Sequence, residues 1–143
     1  MITDIDILHM CGHTTILNVK NIFSDRDIKK QKSQPCNVCV ERDIKAARGE
    51  AGRKGWPTPY GDKRSVGWAV LRRSQVVADL TEHAAHASPE LRDMCLRIFL
   101  RERNAGKWLT DSRDGHVLYD ELLMKWAEPE ERDRIAAELI RHA

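Results

Sequence analysis

Cys11-Gly12-His13 and Pro35-Cys36-Asn37-Val38-Cys39 bring three cysteines and a histidine within 29 residues, and the chain holds only one further cysteine, Cys95. Structural zinc takes four thiolate or imidazole ligands in a tetrahedron, and two short knuckles of two ligands each can wrap the ion from opposite sides. Cys11, His13, Cys36 and Cys39 are therefore the expected ligands of one structural zinc. His9, just ahead of the same turn, is the alternative to His13. A closed Cys3His site has no position for a substrate water, so this set points to a binding scaffold before it points to an enzyme.

Outward from the ligands, β-branched and apolar residues between Ile5 and Val19 flank the Cys11-Gly12-His13 turn, where Gly12 permits a positive φ. This reads as a β-hairpin carrying the first ligand pair at its turn. Residues from Asn21 to Pro35 are polar and charged and read as a loop or short helix over the site. Val40, Ile44 and Ala47 then recur at helical spacing, which predicts a helix from Val38 to Arg48. Its N-terminal amides would face the thiolates and favour their deprotonated form. Residues 1–48 thus read as a treble-clef-like zinc module. So small a unit cannot build a sufficient core alone, and the metal supplies the staple.

A disulfide is the competing reading of a cysteine pair. The opening residues, Met1 to Asp6, carry acids and no basic segment ahead of an apolar one, so no signal peptide is expected. C-x-x-C without a secretory signal favours a metal in a reducing, cytoplasmic setting. No apolar run approaches the ~18 residues of a membrane span, and no membrane association is expected.

Gly49, Gly52, Gly55, Pro57, Pro59 and Gly61 fall within 13 residues, a density that reads as a linker over 49–61. Trp56 and Tyr60 lie inside it, either as anchors onto the part that follows or as a stacking platform for bases or a partner. From 62 to 143 the pattern is helical. Asp62 can cap a helix whose apolar positions are Val66, Ala69, Val70, Val76, Val77 and Leu80, with Arg64, Arg72 and Arg73 expected at the surface. Ser88-Pro89-Glu90 is a helix start, followed by Leu91, Met94, Cys95, Ile98 and Phe99 on one stripe. Trp108 and Leu109 mark a short piece, Val117 to Trp126 another helix, and Pro129 opens the last. The expected fold is α+β, mostly α: a zinc-stapled hairpin and helix, then a small helical bundle whose apolar stripes form a mutual core.

The net charge of +2 conceals an asymmetry. From Lys20 to Arg73 there are fourteen Lys and Arg against six Asp and Glu, whereas Gln75 to Ala143 has ten against fourteen. A basic segment beside a zinc knuckle is a candidate surface for nucleic-acid backbone or an acidic partner. Its candidate contact residues are Lys29, Lys30, Lys32, Arg42, Lys45, Arg48, Arg53 and Lys54, together with Trp56 and Tyr60.

No catalytic set assembles. His83 and His86 share metal-compatible spacing on an expected helix without a third ligand, Asp114, His116 and Asp120 cluster near a turn, and no glycine-rich phosphate loop is present. Cys95 falls on an apolar stripe and reads as a small buried hydrophobe.

The C-G-H … P-C-x-x-C pattern resembles that of small zinc proteins of phages, plasmids and other mobile elements. Trp56 to Ala69 and Ala105 to Arg113 resemble the L-P-x-L-x-G-S-x-K-Q-x-x-W-A and A-K-W-W-I-D-x-R patterns of the same proteins, with departures at Asp62, Arg64, Ser65 and Leu109. The resemblance implies a zinc module of mobile-element origin and no particular activity. Two functions follow as expectations. One is a non-enzymatic inhibitor or adaptor of a host protein or nucleoprotein complex, anti-CRISPR-like in its sharpest form. The other is a DNA-binding regulator that uses the basic segment 20–73, with RNA a further possible ligand of the same charges.

Overall fold

In a computed structural model of the chain, the described residues are 4–18, 29, 32, 36–112 and 119–139. Most of Asn21–Pro35, along with Lys30, Asp114, His116, Val117, Leu118 and Ile140, lies outside them. The fold is α+β and mostly helical. Strands β1 (Asp4–Leu8) and β2 (Thr14–Asn18) pair antiparallel, with Ile7 opposite Thr15 and Leu8 opposite Thr14. Period-two alternation operates here: Ile7 is fully buried while its neighbours Asp6 and Leu8 are exposed.

Helix α1 (Asn37–Lys54) starts directly after Cys36, whose carbonyl accepts the first helical bond from Val40 N at 3.0 Å. Val40, Ala47 and Ala51 form its buried stripe. The expected end at Arg48 and the expected linker from 49 are corrected by this helix, which runs through Gly49 and Gly52. Two internal glycines cost about 1 kcal/mol each, which an 18-residue helix rich in alanine and carrying a Glu50–Lys54 pair at 3.2 Å can absorb. Gly55 is the glycine that stops it. With φ at +71°, Gly55 N donates to Gly52 O (3.3 Å) and Trp56 N to Ala51 O (2.9 Å), the two bonds of a Schellman cap.

The chain divides into two compact units, Met1–Lys45 and Ala46–Ala143, so the division falls within α1 and not at the glycine-rich segment. Residues 55–62 are fastened to the second unit: Tyr60 N donates to Arg103 O at 2.7 Å and Ala105 N to Tyr60 O at 2.9 Å, a parallel bridge between Tyr60 and Asn104.

The second unit continues with α2 (Lys63–His83), α3 (Pro89–Arg101), α4 (Ala105–Asp111), α5 (Tyr119–Trp126) and α6 (Pro129–Glu138). Three of its helix starts are set by short polar side chains. Asp62 accepts from Ser65 N at 3.0 Å, Ser88 from Leu91 N at 3.2 Å and Asn104 from Lys107 N at 3.3 Å. These bonds from Ser65 hold the Asp62 carboxyl below its ordinary value. Helix α2 packs on α3, α4 and α5, and α5 packs on α3 and α6. Leu91, Ile98, Phe99, Trp108, Leu122, Leu123 and Ile135 are fully buried between them. Cys95 is also fully buried, and burial pushes its thiol up to about 11, as befits an inert packing residue.

Two further expectations are corrected in this unit. Arg73 is not a surface residue: it is 1% exposed, and Arg72 is half-buried with Nη1 donating to Ser112 O at 2.6 Å. Helix α2 ends at His83, so His86 falls in the following turn and the two histidines do not share a helix. No helix among the described residues is long and apolar enough to cross a membrane.

Candidate metal centre

The five residues from His9 to His13 close the hairpin. His9 N donates to His13 O and Gly12 N to His9 O, both at 2.9 Å, so a β-turn nests inside the loop and throws Cys11 and His13 to one side. Gly12 makes this possible with φ at +87°. From the other direction, Cys36 stands at the threshold of α1 and Cys39 in its first turn.

The four side chains converge. His13 Nδ1 lies 3.1 Å from Cys39 Sγ, 3.4 Å from Cys36 Sγ and 3.6 Å from Cys11 Sγ, and all four ligand atoms fall within 4.8 Å of one another. A single imidazole nitrogen carries at most one proton and cannot serve three sulfurs as a donor. A tetrahedron with zinc–sulfur bonds of about 2.3 Å and zinc–nitrogen of about 2.0–2.1 Å has S···N edges of about 3.5 Å. The observed edges have that length, so the cluster has the dimensions of a Cys3His metal site. His9 is turned away from it: it is 5% exposed and its Nε2 lies 2.5 Å from Thr15 Oγ1.

Local electrostatics suit a cation. Cys36 N donates to Cys11 Sγ at 3.3 Å, and this amide, followed by the His13 backbone, holds the Cys11 thiol down to about 6. Burial, then the neighbouring Cys36 and Cys11 sulfurs, push Cys39 up to about 11. Cys11 is thus poised as a thiolate, and a divalent ion held among the four ligand atoms would favour the deprotonated form of the other thiols as well. Cys36 and Cys39 are buried, Cys11 is half-buried and His13 exposed, so the cluster is closed from the helix side.

Gly12→Ala tests the turn. Nothing lies within 4 Å of a Cβ built there, so only backbone strain at positive φ opposes the change, about 1–2 kcal/mol. Metal affinity should fall roughly 5- to 30-fold against a competing chelator, and Gly12→Asn should lose less.

Among the described residues the only other group with metal-ligand spacing is Asp79, Glu82 and His83 on α2, and His83 Nδ1 is engaged with Asp79 O at 2.9 Å. The basic candidates Lys29, Lys32, Arg42, Lys45, Arg48, Arg53 and Lys54 are all exposed. Trp56 and Tyr60 differ from each other. Trp56 packs on the core of the second unit with Lys54 Nζ 4.9 Å and Arg73 Cζ 5.6 Å from its ring centroid, whereas Tyr60 is 61% exposed. The anchor role therefore fits Trp56. Arg73 escaped the sequence reading although its spacing signalled it: with Val70, Val77 and Leu80 it forms an i, i+3, i+7, i+10 stripe.

Comparison of the chain with protein-family models, with curated proteins and with solved structures finds no match.

Proposed function

We propose that this is a non-enzymatic binding protein, shaped at its N-terminal unit by one structural zinc, that acts stoichiometrically as inhibitor or adaptor of a host protein or nucleoprotein complex. The observation that carries this reading is the surface of the unit Met1–Lys45. Leu8, Met10 and Val38 are 60%, 70% and 74% exposed, and Met10 and Val38 directly flank candidate metal ligands. A closed metal site holds such side chains rigidly, and exposed large apolar groups on a small unit suit a docking surface. Exposed Arg42 and Lys45 on the same unit would steer an acidic partner toward them. In its sharpest form the action is anti-defence and anti-CRISPR-like, exerted in the cytoplasm; the resemblance to mobile-element zinc proteins supports the zinc module and a mobile-element origin.

The DNA-binding alternative draws on the exposed cations of α1. It loses support at Trp56, whose ring is occupied by Lys54 and Arg73 and offers no free platform to a base.

The test is capture from host lysate, with and without nuclease treatment, by the wild-type protein and by Met10→Asp/Val38→Asp, with zinc content and circular dichroism matched. One partner retained near equimolar ratio and lost in the variant is the expected result. Capture that requires nucleic acid and ignores the variant would favour the DNA-binding reading. Turnover of a target at far below one protein per target would overturn the non-enzymatic one.

A further inference from the structure

In the unit Ala46–Ala143, Arg48, Arg73, Thr58, Trp56, Gly52 and Val70 line a cavity of about 170 Å³. Two of its lining residues are cationic and none is acidic. Arg73 is 1% exposed, yet among the described residues no carboxylate pairs with it. Its Nη1 donates to Pro57 O at 2.6 Å, while its buried Nε has no hydrogen-bond partner. A third guanidinium adds to the imbalance, since Arg103 Nη2 donates to Thr58 O at 3.1 Å. Burial, then the charge of Arg103, depress the Arg73 pKa, the direction expected of a guanidinium buried beside another cation. The molecule pairs cations elsewhere: Arg101, far more exposed, reaches both Glu131 carboxylate oxygens at 2.9 and 3.4 Å.

An unpaired charge in a buried position is strongly unfavourable and ordinarily acquires a counterion. We propose that this cavity binds a phosphate-type oxyanion, with Arg73 and Arg48 supplying the opposing charge and Thr58 a hydroxyl. The guanidinium fork matches tetrahedral oxyanions, and Arg73 is already held in place by Pro57 and the Trp56 ring. Size limits the ligand. Drug-sized sites occupy roughly 300–1,000 Å³, so a cavity of about 170 Å³ takes one oxyanion and not a whole nucleotide. The anion is free phosphate or the phosphodiester of a strand passing the mouth. Gly52 is an exposed residue of the cavity lining, and a Cβ built on it meets nothing within 4 Å, so a larger side chain there has room to extend across the opening.

Calorimetric titration of the full chain at constant ionic strength, balanced with chloride, tests the site with two probes: inorganic phosphate, and a dinucleotide holding a single phosphodiester. Saturable binding of one anion per chain is expected from at least one of them, and which one identifies the source. Arg48→Gln should weaken it roughly 10- to 100-fold, the equivalent of one charge-assisted hydrogen bond. Gly52→Leu should abolish it without lowering the thermal midpoint, since leucine favours the helix over glycine and fills the mouth. Both substitutions avoid the buried Arg73, so failure to fold does not blur the outcome. The site is overturned if neither probe binds beyond chloride, or if either variant leaves binding unchanged.

Discussion

Stripping the metal, or replacing Cys36 with Ser, should unfold the unit Met1–Lys45. Purified protein should carry about one zinc per chain, and Cys36→Ser should release it. Structural zinc contributes an apparent ~10–16 kcal/mol in small modules, as much as the ~5–15 kcal/mol that holds an average domain together. The described core of this unit is slight, with Ile7, His9, Cys36, Cys39 and Val40 as its buried residues, so little remains once the ligands separate. Amide exchange should rise across residues 4–18. Cys95→Ser is the control, since that thiol is buried in the helical core far from the ligand set in sequence, and zinc content should not change. A metal-free N-terminal unit that stays folded would overturn the assignment.

Acid should release the same metal. The Cys11 thiol is held at about 6, below its ordinary 9, so its contribution is complete above pH 9 and is lost as pH falls through about 6. Cys39 is shifted the other way, to about 11, so its protonation competes with metal at higher pH still. Zinc affinity should therefore rise with pH, with one or more protons released per ion bound.

What could be read from the sequence was what depends on few residues close together. Ligand chemistry needs only residue type and spacing, and Cys11, His13, Cys36 and Cys39 do meet. Caps are equally local: Asp62 and Ser88 stand where their side chains bond the amides three residues on. Misreadings arose where a sum or a tertiary partner decides. Glycine density at 49–61 signalled a linker, but helix stability is summed over a whole segment, and only Gly55 adopts the left-handed conformation that stops α1. Arg73 follows the apolar stripe of α2 in spacing, but its charge argued for the surface. Its acceptor, Pro57 O, lies 16 residues earlier and is brought near by the fold alone. The choice between His9 and His13 likewise needed the turn geometry, which sends one imidazole to Thr15 and the other to the thiols.

Trp108→Ala should remove most of the stability of the helical unit. The indole is fully buried, and Trp126 meets it edge to face with centroids 4.6 Å apart at 83°. Phe99 lies against both rings at 6.0 and 6.4 Å. Truncating such a side chain costs about 3–5 kcal/mol through lost transfer energy and the cavity left behind. The aromatic contacts contribute about 0.5–1.5 kcal/mol of their own. Trp108 Nε1 also donates to Glu102 O at 2.8 Å, so the alanine variant strands a carbonyl at the end of α3. Trp108→Phe separates these effects, because it keeps an aromatic ring in the core while giving up the hydrogen bond. Urea unfolding followed by circular dichroism should show Trp108→Phe losing roughly half as much as Trp108→Ala. A loss below about 1 kcal/mol in Trp108→Ala would mean that the aromatic cluster of α3, α4 and α5 is not the centre of this unit's core.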